Sequence, residues 1–415
     1  MTALPINEAT SAADAVAVVG RWVETEVPAT WRTAAANGPA ALRTVRSSAD
    51  YRNWYPVFAT SGLVVPTWAR EHGGLGVGNE VARAIEEVLR PLRLTRLNPL
   101  GLNNAAAALF SHGTEEQRLR FLPPIVRNEE KWCQLFSEPG AGSDLASLAT
   151  RAVKDGDTWV ISGQKVWTTW ADEADFAILL ARTDPEAPKH QGITYFLLDM
   201  HQPGVVVRPL RQITGESEFN EVFIDDARIP DAHRVGAVND GWRVSASTLS
   251  SERQMVSGSG SGGMGRLGGS GAERLITLAQ ETGRWGDPVI RNKVMRLWAQ
   301  EQIRGWTNAR VRAALSAGQS PGAASSIGKV HQATLNQQIQ DLMIDLLGTD
   351  AIAWPATDDP DALPRDVHGM MRSLANATEG GTTDINKNIL GERVLGLPKE
   401  PDPWKGKPWK DIPRS

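Results

Sequence analysis

The chain has 415 residues, a formal net charge of −4 and a pI near 6.0. That length supports two or three subdomains around a large core, and the balance of charge offers no basic field for nucleic acid. The single cysteine, Cys133, excludes an internal disulfide and fits a reducing compartment. Met1–Thr10 has no basic start and no apolar run, and no later window nears the roughly 18 apolar residues of a membrane span. The expected location is cytoplasmic. The seven histidines are scattered without ligand spacing, so no metal site is expected.

Residues 11–127 read as helices, with apolar residues at three- and four-residue spacing in Val16–Val23, Tyr51–Leu63 and Val81–Leu92. From about Lys131 the pattern changes to short β-rich runs: Cys133–Phe136, Trp159–Ile161, Ala177–Leu180, Ile193–Leu198, Val205–Val207 and Glu221–Ile224. Asp155-Gly156-Asp157 predicts a hairpin turn. The helical period returns near Gly241 and runs to Leu397. Helices, then strands, then helices imply an α+β protein with an antiparallel β-domain between two helical domains. The expected boundaries are 1–130, 131–240 and 241–397, with an irregular Pro-, Lys- and Trp-rich tail over 398–415. Ser257–Gly271 has the composition of a linker and matches G-x-G-x-x-G at Gly258, Gly260 and Gly263. No strand precedes it and no acidic partner follows, so a dinucleotide reading is rejected.

Two motifs carry chemistry. Leu135-Phe136-Ser137-Glu138-Pro139-Gly140-Ala141-Gly142-Ser143-Asp144 is a glycine-rich loop whose backbone N–H groups can turn toward a pyrophosphate, with Ser137 and Ser143 as hydroxyl donors. Gly163-Gln164-Lys165-Val166-Trp167-Thr168-Thr169 puts an indole and two hydroxyls on a strand, suited to covering a flat ring and meeting its polar edge. Alone, either motif is as consistent with an ordinary turn or a packed strand.

Together and in this order they resemble the acyl-CoA dehydrogenase family. The resemblance extends to Pro66–Gly76, Gly113–Gln117, Phe121–Pro124, Phe219–Asp226, Glu379–Thr382 and Glu392–Gly396. It implies the family fold, with a C-terminal domain like a four-helix bundle, and FAD-dependent α,β-desaturation of an acyl-CoA thioester. In that reaction a carboxylate removes the α-proton while hydride passes to flavin N5. It further implies FAD contacts from Phe136, Ser137, Gly142, Ser143, Trp167 and Thr169, and from Thr382 and Asp384 on the ADP half. Electron-transferring flavoprotein is the implied acceptor and a tetramer the implied assembly. Small residues at Ala105–Ala108, where members line the acyl pocket, either admit a bulky acyl group or simply pack a helix.

Most members take their base from the Glu of a Tyr-Glu-Gly-Thr segment. Aligned on Gly381-Thr382, that position here is Gly380, and Glu379 sits one residue early. One residue on a helix turns a side chain by about 100°. The isovaleryl-CoA dehydrogenase group instead carries its base in a Leu-x-x-Glu-Arg pattern, which Leu249–Arg253 matches. The resemblance therefore favours Glu252 as base, with Glu379 the alternative and the Gly380 backbone N–H a donor to the thioester oxygen. Two cross-subunit flavin segments depart from the family: Glu281–Pro288 keeps only a displaced Arg284, and the Gly-Gly-Asn-Gly segment reads Gly348-Thr349-Asp350-Ala351, with Asp345 for the usual glutamine. A related sister subunit, or a homo-oligomer with fewer contacts, would explain this. A non-catalytic half-site subunit, an acyl-CoA oxidase and a carrier-protein thioester dehydrogenase are the alternatives.

Overall fold

The computed structural model describes residues 3–256, 271–317, 325–353 and 363–413. Nearly all of the predicted Gly/Ser linker lies outside them.

The N-terminal helices are α1 (Ala12–Glu26), α2 (Ala29–Ala36), α3 (Pro39–Val45), α4 (Ser48–Thr60), α5 (Asn79–Leu89), α6 (Ala106–His112) and α7 (Glu115–Arg127). A π-helical turn, Leu100–Ala105, runs directly into α6. Local chemistry sets the starts of α4 and α7. Ser47 with Asp50, and Thr114 with Gln117, form reciprocal capping boxes that satisfy otherwise orphaned N–H groups. Gln117 does more: its amide donates to the Ala232 and Arg234 carbonyls at 2.7 and 2.8 Å, tying α7 to the sheet.

The strands are β1 (Trp132–Leu135), β2 (Arg151–Asp155), β3 (Thr158–Thr169), β4 (Phe176–Arg182), β5 (Ile193–Asp199), β6 (Val205–Leu210), β7 (Phe219–Pro230) and β8 (Arg234–Val235). They form one sheet in the order β6-β7-β3-β2-β4-β5-β8, with β1 paired to β4. The predicted turn joins β2 to β3, Asp155 facing Thr158 and Gly156 at φ +59°. The sheet is mixed rather than purely antiparallel, because β1 and β2 both pair parallel to β4. About forty residues, including the β2–β3 hairpin, separate β1 from β4. No tight turn forces those two strands to run in opposite directions.

Strands β4 and β5 are buried on both faces, as their unbroken apolar runs require. Ile178, Leu180, Tyr195 and Leu197 pack against Leu109, Phe121 and Val244, the last from α8 (Gly241–Val256). Leu179, Phe196 and Leu198 pack against Ile161 and Val222 of β3 and β7. The alanines Ala105, Ala106 and Ala108 are buried in the first of these clusters.

The C-terminal helices continue with α9 (Ala272–Glu281), α10 (Pro288–Ser316), α11 (Ser325–Leu347), α12 (Arg365–Ser373) and α13 (Thr383–Arg393). Leu275, Leu278, Val294, Ile339 and Met343 form their core. No helix among the described residues is long and apolar enough to cross a membrane.

Candidate active site

The two sequence motifs are joined side by side. Beyond β1 the chain makes a tight turn, closed by reciprocal bonds between Glu138 and Ala141 (3.1 and 3.0 Å). The Val166 N–H donates to the Ser137 carbonyl at 2.9 Å. Beneath that bond lies an ion pair that the sequence reading did not assign. Lys165 is fully buried, and its ammonium donates to Glu138 Oε1 at 2.8 Å and to the Phe136 carbonyl at 3.0 Å. The Glu138 carboxylate also accepts the Ala149 and Thr150 N–H groups at 2.6 and 2.9 Å. Burial alone would raise the Glu138 carboxyl. The adjacent ammonium and these hydrogen bonds outweigh it and hold the group below its ordinary value. A lysine in the strand that carries the second motif was the available signal.

This clamp presents the loop 139–143 to solvent. Pro139, Gly140, Gly142 and Ser143 are exposed, and the Gly142 and Ser143 N–H groups make no hydrogen bond among the described residues. A Cβ added to Gly142 would meet nothing within 4 Å. Across the clamp, a bulge between Lys165 and Thr168 puts Trp167 at φ +59° and leaves it 62% exposed, edge-on to Phe219 at 6.0 Å. Thr169 is half-buried beside it, and the Thr168 hydroxyl is buried without a partner among the described residues. Free loop amides, an outstanding indole and an orphaned hydroxyl fit a phosphate-bearing, flat-ringed group such as FAD.

Phe136 connects this region to α8. Its ring meets Tyr195 edge-on at 6.1 Å, and the buried Tyr195 hydroxyl bonds Thr248 Oγ1 at 3.1 Å. Thr248 in turn donates to the Asn104 carbonyl at 3.3 Å. Gly241 lets the start of α8 approach the sheet, since a Cβ there would lie 2.6 Å from the Thr194 carbonyl carbon. Glu252 lies on α8 one turn beyond Thr248, so the two positions share a helix face. The Glu252 side chain lies outside the described residues.

Glu379 is held elsewhere. Its carboxylate accepts Arg372 Nη2 at 2.9 Å and Asn376 Nδ2 at 2.7 Å. Arg372 also faces Glu218 at 3.6 Å and lies over the Phe219 ring, 5.8 Å from its centroid. Burial raises the Glu218 carboxyl, and Arg372 offsets this only in part. With His368 bonded to Glu216 at 2.9 Å, this cluster docks α12 onto the sheet beside Trp167. Gly380 and Gly381 follow at φ +62° and +83°. Thr382 caps α13 by accepting the Ile385 N–H at 3.1 Å. Asp384, 88% exposed, pairs with Lys387 at 3.5 Å. Arg284 donates to the Asp345 carbonyl of its own chain at 2.9 Å, and Gly348–Ala351 forms a 3₁₀ turn.

Comparison with known proteins places this geometry. Residues 17–129 match the acyl-CoA dehydrogenase N-terminal domain, 133–227 the middle domain and 239–395 the C-terminal domain. The acyl-CoA dehydrogenase IpdE1 of Mycobacterium tuberculosis is 38% identical over 360 residues, covering 85% of this chain and 89% of its own. The chain belongs to the acyl-CoA dehydrogenase family. Family members are FAD-dependent oxidoreductases. Acyl-CoA dehydrogenase FadE34 of the same organism is 38% identical over 82% of this chain but 45% of its own, so this chain spans under half of that relative. Among solved structures, the ChsE4-ChsE5 complex from M. tuberculosis matches with a TM-score of 0.68 and 26% identity. It covers 96% of this chain and all of the other.

Proposed function

We propose that this chain desaturates an acyl-CoA thioester at Cα–Cβ, with Glu252 as the base. FAD, when bound, accepts the hydride. The loop amides of Gly142 and Ser143, with Ser137, Trp167 and Thr169, are suited to hold it, and Thr382 and Asp384 are assigned to its ADP half. The Gly380 N–H donates to the thioester oxygen, where enolate charge develops. A fixed donor there is typically worth about 10²–10³ in rate. Glu252 takes the α-proton from the same side of α8 that Thr248 anchors.

The observation that carries this reading is the commitment of Glu379. The Glu379 carboxylate is bonded to Arg372 and Asn376, so its oxygens face structural partners. The family's usual base position holds Gly380, at φ +62°. Flavin reduction by a panel of acyl-CoAs, followed by visible absorbance, tests it. Glu252→Gln should keep bound FAD but slow bleaching by several orders of magnitude, whereas Glu379→Gln should slow it modestly. The reverse pattern would sink the assignment.

The same reading places electron-transferring flavoprotein as acceptor and a cytoplasmic location, the latter supported by the unpaired, buried Cys133. It also favours a related sister subunit. Arg284 is spent on its own chain, and the ChsE4-ChsE5 match is itself a two-protein complex. An isolated homo-oligomer that keeps one tightly bound FAD per chain through dialysis would remove that support.

A further inference from the structure

Side-chain amides from three neighbouring elements converge on the turn 379–382. Asn376 is 1% exposed, in the 3₁₀ turn Leu374–Ala377 that continues α12. Its Nδ2 donates to Glu379 Oε1 at 2.7 Å, while Arg372 donates to the other carboxylate oxygen. Its Oδ1 accepts Asn336 Nδ2 of α11 at 2.6 Å, and Asn336 Oδ1 accepts Gln340 Nε2 at 3.1 Å. Its backbone carbonyl accepts the Lys329 ammonium, also from α11. Asn336, Gln340 and Lys329 are all buried. Beyond the turn, Asn386 of α13 donates to the Gly381 and Thr382 carbonyls at 3.0 Å each. Buried amides and ammonium groups are costly unless bonded. Packing alone does not call for them here, since the other face of α11 uses Leu335, Ile339, Leu342 and Met343.

We propose that Asn376 is a positioning residue for the reaction: through Glu379 it fixes the 379–380 peptide and so aims the Gly380 N–H at the thioester oxygen. The proposal rests on the thioester reading above, in which that N–H is the donor. The N–H belongs to the peptide unit joining residues 379 and 380, and it makes no hydrogen bond among the described residues. Its neighbours are held on both sides. The Glu379 N–H donates to the Ala375 carbonyl at 3.0 Å, and the Glu379 carboxylate is bonded through both oxygens. The Gly381 carbonyl is bonded to Asn386. Between these fixed points Gly380 has φ +62°, a conformation that glycine adopts without strain and that gives the segment no rigidity of its own. The aim of the N–H therefore depends on the bonds around it.

Asn376 is the link that both ends of this network require. Its Nδ2 reaches the carboxylate beside the donor, and its Oδ1 reaches the buried amides of α11. Arg372 bonds the same carboxylate but comes from α12 and faces the sheet, so it docks the domain without reaching α11. A donor stabilises developing enolate charge most when it is aimed before the reaction begins. Loosening Asn376 should thus weaken enolate stabilisation more than it weakens substrate binding.

The test uses the full-length, FAD-loaded protein and two probes. An acyl-CoA that bleaches the parent gives the rate of flavin reduction and the dissociation constant. A 3-thiaacyl-CoA gives the enolate alone, because sulfur acidifies its α-proton and leaves no β-hydrogen to transfer. The long-wavelength charge-transfer absorbance of that enolate beside oxidised flavin, followed against pH, reads its ionisation midpoint. Asn376→Leu should slow bleaching by about tenfold to hundredfold, part of the value of a fixed donor, with a much smaller change in the dissociation constant. The midpoint should rise by about one pH unit or more, the counterpart of a tenfold loss. Asn376→Asp sets one carboxylate against another and should be slower still. Asn376→Asp/Glu379→Gln restores the bond with donor and acceptor exchanged and should recover most of the rate. A leucine variant that unfolds earlier in urea but keeps the parent's rate and midpoint overturns the proposal, because its role is then structural alone. Should that variant not fold, the aspartate pair decides: equal rates in the single and double variants overturn the proposal. If no acyl-CoA bleaches the parent, the thioester reading falls and the proposal with it. If the parent is bleached and the variants match it, the proposal alone falls.

Discussion

Replacing Lys165 with methionine probes the clamp that joins the two flavin motifs. The ammonium is fully buried, and its partner Glu138 is 8% exposed. Without it, the carboxylate keeps the Ala149 and Thr150 N–H groups but loses its counter-charge. It can stay ionised in the interior or take up a proton. From an ordinary value of 4.5, protonation at pH 7 costs about 3 kcal/mol. That agrees with the roughly 3–5 kcal/mol typical of breaking a buried pair from one side. Glu138→Gln strands the ammonium instead. Neutralising a lysine of ordinary value 10.5 at pH 7 costs at most about 5 kcal/mol. The double variant leaves no buried charge, so it should cost several kcal/mol less than the sum of the singles. Urea unfolding followed by tryptophan fluorescence gives the cycle, and retained flavin after dialysis gives the functional readout. Glu138 has a lowered folded value, so its contribution is present above the ordinary carboxylate range and is lost as pH falls below it. A Lys165→Met protein within about 1 kcal/mol of the parent, or additive singles, would refute this reasoning.

Gly380→Ala forces an L-residue into the left-handed region at φ +62° and should cost about 1–2 kcal/mol, seen as a lower urea midpoint. Glu379→Ala frees the buried Arg372 guanidinium and should cost about 1.5–3 kcal/mol while flavin reduction persists. Loss of reduction there would restore Glu379 as base. Asp231 accepts Arg234 at 3.0 Å through both oxygens and Trp159 Nε1 at 2.7 Å. The Arg234 bonds first, then the indole, lower its carboxyl to about 2. Its stabilisation is therefore full above the ordinary value of 3.8 and is lost as pH falls toward 2. Asp231→Asn should flatten that acid limb in a stability–pH series, and an unchanged limb would show that the bonds are inert.

Much of the fold is legible because its signals are local. Apolar periodicity marks α1, α4 and α5, and the Asp-Gly turn fixes the β2–β3 hairpin. The parallel pairing of β1 with β4 was not legible, since strand direction across forty residues depends on the path of the chain rather than on either strand's pattern. Among candidate site residues, Gly142, Ser143 and Trp167 were legible as motif letters, and the structure shows them exposed. Lys165 and Glu138 were visible as letters but not as a pair, because an ion pair is a tertiary contact between two motifs. The cluster of Arg372, Glu218 and Glu379 stayed hidden for the same reason. So did Trp409, whose partners lie over 200 residues away in sequence.

The proposed placement of the base on α8 fits a competition for one short segment. Residues 379–382 must turn the chain between α12 and α13, which takes two consecutive glycines at φ +62° and +83°. Residue 379 also supplies the carboxylate that holds Arg372, which in turn faces Glu218 and the Phe219 ring. A glutamate at 380 would be strained in the left-handed region, and one at 379 is already paired. Helix α8 is free of both duties. The close approach at Gly241, the Tyr195–Thr248 bond and the Thr248–Asn104 bond fix one of its faces against the sheet. Position 252 lies one turn beyond Thr248 on that helix, apart from the turn and the docking contact. In the proposed reading, a base on α8 leaves the Gly380 backbone N–H free to serve as a donor. That arrangement requires Gly380 and Glu252 to act together. Restoring a glutamate at 380 in a Glu252→Gln background should not recover flavin reduction, and recovery would show that the turn tolerates the family's usual base after all.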